Sequence, residues 1–168
     1  KFSTGAAAYL QSLGLPSGAV RSVVKGNNNR YWFLYDNLDV YLYSGSDKKA
    51  SHFTQDAGLN TKSKIAAVSE TGNGKLWLVY QDGLLQEYDI NLKKIIYTSA
   101  ALQNLNRENN AYHIFIDNDG DAWLWSLNIG VFLFQPKLNA IRQFTETSFP
   151  NKLNNNLVTQ IVQDNNGL

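Results

Sequence analysis

Residues 117–121 read Asp-Asn-Asp-Gly-Asp, and three carboxylates at alternating positions are how an EF-hand calcium loop begins. Such a loop also needs Gly at its sixth position and Glu at its twelfth. Here those positions hold Ala122 and Asn128, so the loop fails and a tight turn is the better reading. The two histidines, His52 and His113, are far apart in the chain, which argues against a shared metal or a proton relay. With no Cys, thiol catalysis, disulfides and Cys-ligated metals are excluded. There is no nucleophile elbow, no Ser-His-Asp arrangement, no glycine-rich phosphate loop and no obvious carboxylate pair for glycoside hydrolysis. The expectation is a protein without catalytic residues, metal or cofactor, and not an enzyme.

Binding chemistry is better represented. Three short stretches, 35–39, 80–83 and 125–130, carry Tyr35, Asp36, Tyr80, Gln81, Asp82, Trp125 and Asn128. A flat apolar ring beside amides and carboxylates suits a sugar, which offers an apolar face and directional hydroxyls. Arg21 and Tyr112 add a cation and a phenol next to an apolar column. The candidate ligand-binding residues are therefore Trp125, Tyr35, Tyr80, Asp82, Asn128, Arg21 and Tyr112, with Trp125 foremost because it is the unrepeated Trp. The competing reading is that rings at these positions simply pack between sheets.

The elements that would hold these residues are visible as a repeat. Trp32, Trp77 and Trp123 recur at spacings of 45 and 46 residues. Each closes a matching segment: AVRSVVKGNNNRYW (19–32), KIAAVSETGNGKLW (64–77) and NAYHIFIDNDGDAW (110–123). A fourth copy, LVTQIVQDNNGL (157–168), stops two residues short of its Trp. Val20, Ile65, Ala111 and Val158 share one column, and Val23, Val68, Ile114 and Ile161 another. Asn29, Gly74, Gly120 and Gly167 share a turn column, where Asn is the usual substitute for Gly at positive φ. After each Trp come a strand, a turn and another strand, then a last strand with an aromatic before Thr: HFTQ (52–55), IYTS (96–99) and QFTE (143–146). AYLQS (8–12) reads as a stray copy of that last strand.

Four short strands in about 46 residues is the pattern of a β-propeller blade. The recurring Trp fills the wedge between adjacent blades, and burying each ring is worth on the order of 4–6 kcal/mol before entropy is charged. The expected fold is all-β: a partial propeller of about three four-stranded antiparallel blades. Its divisions fall at 1–13 (outer strand of a preceding blade), 14–57, 58–101, 102–149 (three blades) and 150–168 (start of the next). Three blades do not close a ring, since propellers typically use four to eight. The chain is thus expected to be an arc of a larger propeller, self-associating through open blade edges if made alone.

Composition agrees. Apolar residues make up 43% of the 168, enough for a core, and the net charge is +1 with no basic stripe for nucleic acid. No apolar run approaches the roughly 18 residues that span a bilayer, so no membrane contact is expected of this segment.

The columns quoted resemble the two-component regulator propeller repeat. That repeat has an Asp column, matched by Asp117 and Asp164, and a Leu-Trp pair, matched by Leu76–Trp77. LGLPSGAVRSVV (13–24) is similar to the segment that opens many such blades. Gly26 and Thr71 depart from the Asp column, and Leu34–Tyr35, Val79–Tyr80 and Trp125–Ser126 replace the Gly-Thr that follows Trp in the family. The resemblance implies part of the periplasmic sensor region of a Bacteroidetes hybrid two-component system, an inner-membrane protein. Tandem propellers there precede a membrane helix, a histidine kinase and a DNA-binding output. It also implies a glycan-derived oligosaccharide as ligand, and the rest of the propeller and sensor chain as partners. The alternative is a structural or protein-interaction propeller without a small ligand. An enzymatic propeller would need a His, Glu or metal cluster at the channel mouth.

Overall fold

The computed structural model describes residues 4–37, 39–57, 59, 63–105, 108 and 110–164. Among the described residues, twelve strands form three four-stranded antiparallel sheets, each in chain order. The first blade is β1 (Val20–Lys25), β2 (Arg30–Tyr35), β3 (Val40–Ser44) and β4 (Lys49–His52). The second is β5 (Ile65–Glu70), β6 (Lys75–Tyr80), β7 (Leu85–Asp89) and β8 (Lys94–Ser99). The third is β9 (His113–Ile116), β10 (Ala122–Trp125), β11 (Val131–Gln135) and β12 (Ala140–Phe144). The fold is the partial propeller that the repeat predicts.

The repeat is kept at the level of single dihedral angles. Asn29, Gly74 and Gly120, one column, all have positive φ, at 58°, 77° and 84°. Lys48, Lys93 and Asn139 form a second such column at the β3–β4, β7–β8 and β11–β12 turns. A register shift between Val20 and Ser22 recurs between Ile65 and Ala67. Gly167, the fourth member of the turn column, lies outside the described residues, as does residue 58, the expected start of the second blade.

Trp32 and Trp77 each face the following blade, as the wedge reading requires. Trp32 is buried with Ile65, Val68, Leu76, Leu78 and Tyr88 of the second blade. Trp77 is buried with Leu124, Phe132 and Phe134 of the third. Trp123 is only half-buried and stacks on Phe144, 6.1 Å away. Among the described residues, only the strandless segment 150–164 follows the third blade in the chain.

Three segments differ from expectation. AYLQS is not a strand: residues Thr4–Ser12 form helix α1. Its sequence, TGAAAYLQS, is rich in alanine, the strongest helix former. Gly14, at φ 89°, turns the chain after the helix, and the Leu13 carbonyl accepts the Ala50 N–H at 2.6 Å, docking the segment on β4. HFTQ leaves the sheet at His52, and Phe53–Asp56 forms the one-turn helix α2. That turn drives Phe53 inward, edge-on to Trp32 at 4.9 Å and to Tyr88 at 5.2 Å. The inner strand expected around Leu157–Gln163 carries no strand assignment, for want of a paired second strand among the described residues. A short helix α3 (Ala101–Leu105) plugs buried Leu102 beneath the third blade.

Candidate functional site

Inner strands β1, β5 and β9 run side by side, and their channel-facing residues enclose a cavity of about 190 Å³. Arg21 enters from the first blade, Ala66 and Ala67 form the floor from the second, and Tyr112, His113 and Trp125 close it from the third. Alanine on β5 makes the space: a larger residue there would fill it. The structure therefore brings together Arg21, Tyr112 and Trp125, three candidates that stand far apart in the sequence.

The electrostatics of this cavity are one-sided. Its lining includes no carboxylate. The Arg21 Nη2 donates to the Ala66 carbonyl, tying blade one to blade two, while its buried Nε has no hydrogen-bond partner. Burial pulls the Arg21 pKa down, and Asp36 acts against that from a distance. Trp125 is 6% exposed, and its buried indole N–H has no partner either. His113 stacks on Trp125, with centroids 5.3 Å apart and planes 18° apart, because β9 and β10 pair them directly. The His113 pKa lies below the ordinary imidazole value, first through partial burial and then through the Arg21 charge. Neutral imidazole, guanidinium and indole thus converge, presenting donors in excess of acceptors.

The other candidates sit elsewhere. Tyr35 is buried at the end of β2, donates to the Pro16 carbonyl at 3.2 Å and lines a separate hollow of about 290 Å³ with residues 16–19. Tyr80 is wholly buried between blades one and two, and its hydroxyl is 2.7 Å from Gln86 Oε1. The Asp82 carboxylate accepts from the Leu84 N–H and from Gln103 Nε2, at 3.1 and 2.9 Å, bracing the turn against α3. Asn128 is exposed in the β10–β11 turn with φ 61°. His113 was not among the sequence candidates; only the β9–β10 register, which sets it opposite Trp125, marks it. Among the described residues, no cluster of three His, Asp or Glu side chains has metal-binding geometry.

No family model matches the chain, and no curated protein matches it. Solved structures do. The extracellular domain of a one-component system from B. thetaiotaomicron superposes with a TM-score of 0.68 at 18% identity, covering 94% of this chain and 21% of that one. The extracellular domain of a hybrid two-component system from the same organism gives 0.63 at 17%, covering 94% and 19%. The WD40 β-propeller domain of Doa1 gives 0.57 at 14%, covering 78% and 42%. The chain has the β-propeller fold, shared with extracellular domains of Bacteroides signalling systems, in agreement with the resemblance read from its repeat. It spans about a fifth of the length of the first two structures. Among the described residues no helix is long and apolar enough to cross a membrane.

Proposed function

We propose that the chain is part of the extracytoplasmic, periplasmic sensor propeller of a hybrid two-component signalling protein, and that it takes part in sensing a glycan-derived ligand. One observation carries the reading. Side chains from blades one and three, with a floor from blade two, converge on a cavity that holds buried, unpartnered N–H donors. Buried donors without acceptors are rare in folded proteins and are a disadvantage unless something fills them. An aromatic wall beside donors fits a sugar ring and its oxygens.

The test is calorimetric titration of the whole extracytoplasmic protein with a panel of plant and host oligosaccharides. Trp125→Ala should weaken the binding oligosaccharide by about 1–3 kcal/mol. Unchanged affinity in a folded variant would remove the cavity from the site and return weight to a protein-interaction propeller.

A further inference from the structure

The cavity between Arg21 and Trp125 is built for more than a neutral sugar. Its polar lining consists of guanidinium, indole N–H, imidazole, the Ser22 hydroxyl and the Tyr112 phenol, with no carboxylate. Two of its donors, Arg21 Nε and Trp125 Nε1, are buried without partners and come from different blades. Neither can turn to water without moving a strand-borne side chain that is already fixed, Arg21 by the Ala66 carbonyl and Trp125 by its stack on His113. Asp36 influences Arg21 electrostatically but forms no ion pair with it among the described residues. The guanidinium is therefore a partly desolvated cation without a protein counter-ion, a costly arrangement unless a ligand supplies the charge.

We infer that this cavity holds the acidic group of the ligand, a carboxylate or sulfate ester carried on a sugar, with Arg21 as its counter-ion and the Trp125 indole as a second donor. The volume of about 190 Å³ suits an oxyanion and part of one ring, not a whole oligosaccharide. The neutral remainder would extend past exposed His113 into the channel. This rests on the ligand-binding reading above and narrows its chemistry.

The experiment is an indole N–H NMR titration of the whole extracytoplasmic protein with four probes: D-glucuronate, glucose 6-sulfate, glucose and inorganic sulfate. Trp125→Phe, which keeps an aromatic ring at the site, assigns the Trp125 resonance. The expected result is a Trp125 shift with glucuronate or glucose 6-sulfate at about tenfold lower concentration than with glucose, the ratio of one charge-assisted hydrogen bond. Which of the two shifts it names the oxyanion. Arg21→Gln should abolish the preference for acid while leaving the weak response to glucose. Because Arg21→Gln also loses the tie to Ala66, Arg21→Lys is run beside it; it keeps the charge without Nε and should retain only part of the preference. Equal responses to glucose and the sugar acids, or an acid preference that survives Arg21→Gln, would overturn the acidic-group assignment and leave the glycan reading standing. Inorganic sulfate acting as well as the sugar acids would keep the anion site and count against the glycan reading. No probe moving Trp125 would sink both.

Discussion

The junction between blades one and two and the junction between blades two and three solve one problem differently. Each must place an indole N–H in a sheet-to-sheet wedge. In the third blade, Trp123 Nε1 donates at 2.8 Å to Asp117, the Asp of its own turn. In the first blade that column is Gly26, and the acceptor is imported: Glu70 of the second blade reaches across, 2.8 Å from Trp32 Nε1. The Glu70 side chain is fully buried, and it also binds Arg30 and the Asn27 N–H. A Cβ on Gly26 would stand 2.1 Å from the Glu70 carboxylate, so the missing side chain is what admits it. In the second blade the column is Thr71, and the residue equivalent to Glu70 is Ile116. Trp77 Nε1 has neither acceptor, and a groove of about 590 Å³ opens beside it, lined by Glu87, Asp117 and Lys137 among others. The second junction relies on apolar packing, supplemented by Asn139, which accepts from Tyr97 and Ser99 at 2.9 and 2.8 Å. A repeated fold position thus need not mean a repeated contact: the same indole N–H is bonded from within, from the neighbour, or, beside the open groove, by no protein group among the described residues.

The largest effect should come from the apolar junction. Phe134 is fully buried, with Trp77 at 6.0 Å and Tyr97 at 6.4 Å across the junction. Phe134→Ala should cost about 3–5 kcal/mol, the usual range for a large ring lost from a core. Urea unfolding would check it, and a loss near zero would show that the second junction does not hold by packing.

The imported carboxylate comes next. Glu70→Ala leaves Arg30, Trp32 Nε1 and the Asn27 N–H facing a void. Arg30 retains some exposure, 17% of its side chain, and can recruit water. The expected loss is therefore about 3 kcal/mol, the low end for breaking a buried pair. If Glu70→Ala were as stable as the parent, the clip would be decoration and the contrast between junctions would fall.

Much of this was legible in the sequence, and the boundary is physical. Turn columns and Trp columns are read from one strand pair at a time, so Asn29, Gly74 and Gly120 announced their positive φ. The departure of Gly26 from the Asp column was visible too. Its meaning was not, because the carboxylate that fills the space belongs to another blade, and no local rule links position 26 to position 70. The same limit governs the site. Arg21, Tyr112 and Trp125 could be singled out by strand position, but the alanine floor at 66–67 and the His113 stack depend on register. AYLQS misled because an aromatic column outweighed the three alanines before it.

Acid separates the two junctions by sign. Burial pushes the Glu70 carboxyl up, but hydrogen bonds from Arg30, Trp32 and the Asn27 backbone outweigh it and hold its pKa below the ordinary 4.5. A folded pKa below the unfolded one makes the clip's contribution complete above the unfolded value and lost as pH falls through the folded value. Glu87, in the groove of the second junction, is the reverse: burial raises its pKa, Lys75 opposes this and Asp89 adds to it. Its contribution is greatest below the unfolded value and is lost as pH rises through the folded one. Urea midpoints measured between about pH 3 and pH 7 should fall on acidification, less steeply in Glu70→Gln and more steeply in Glu87→Gln. Parallel curves for all three proteins would contradict both assignments.

The smallest effect is a repair. Thr71 stands where Asp117 stands in the third blade, and the local backbone is the same: Thr71 N–H to the Lys75 carbonyl at 2.8 Å matches Asp117 N–H to the Asp121 carbonyl at 3.0 Å. Asp117 uses one oxygen for the Asp119 and Asp121 N–H groups and the other for Trp123 Nε1. Thr71→Asp should repeat this, accepting from the Asn73 and Lys75 N–H groups and from the unpartnered Trp77 Nε1. One charge-assisted bond would add up to about 1.5–3 kcal/mol alone, and less where the donor already meets water at the groove. Three things reduce it: the lost Thr71 hydroxyl bond to the Lys75 carbonyl, and repulsion from Glu87 and from Asp117 across the groove. A net gain of about 1 kcal/mol is expected, together with a downfield shift of the Trp77 indole resonance toward that of Trp123. The resonance is the decisive readout, because stability alone could rise through the turn without the indole being touched. An unmoved Trp77 signal in a folded variant would mean that the turn of the second blade differs in geometry from that of the third, and that the missing acceptor at its indole is set by more than the residue at position 71.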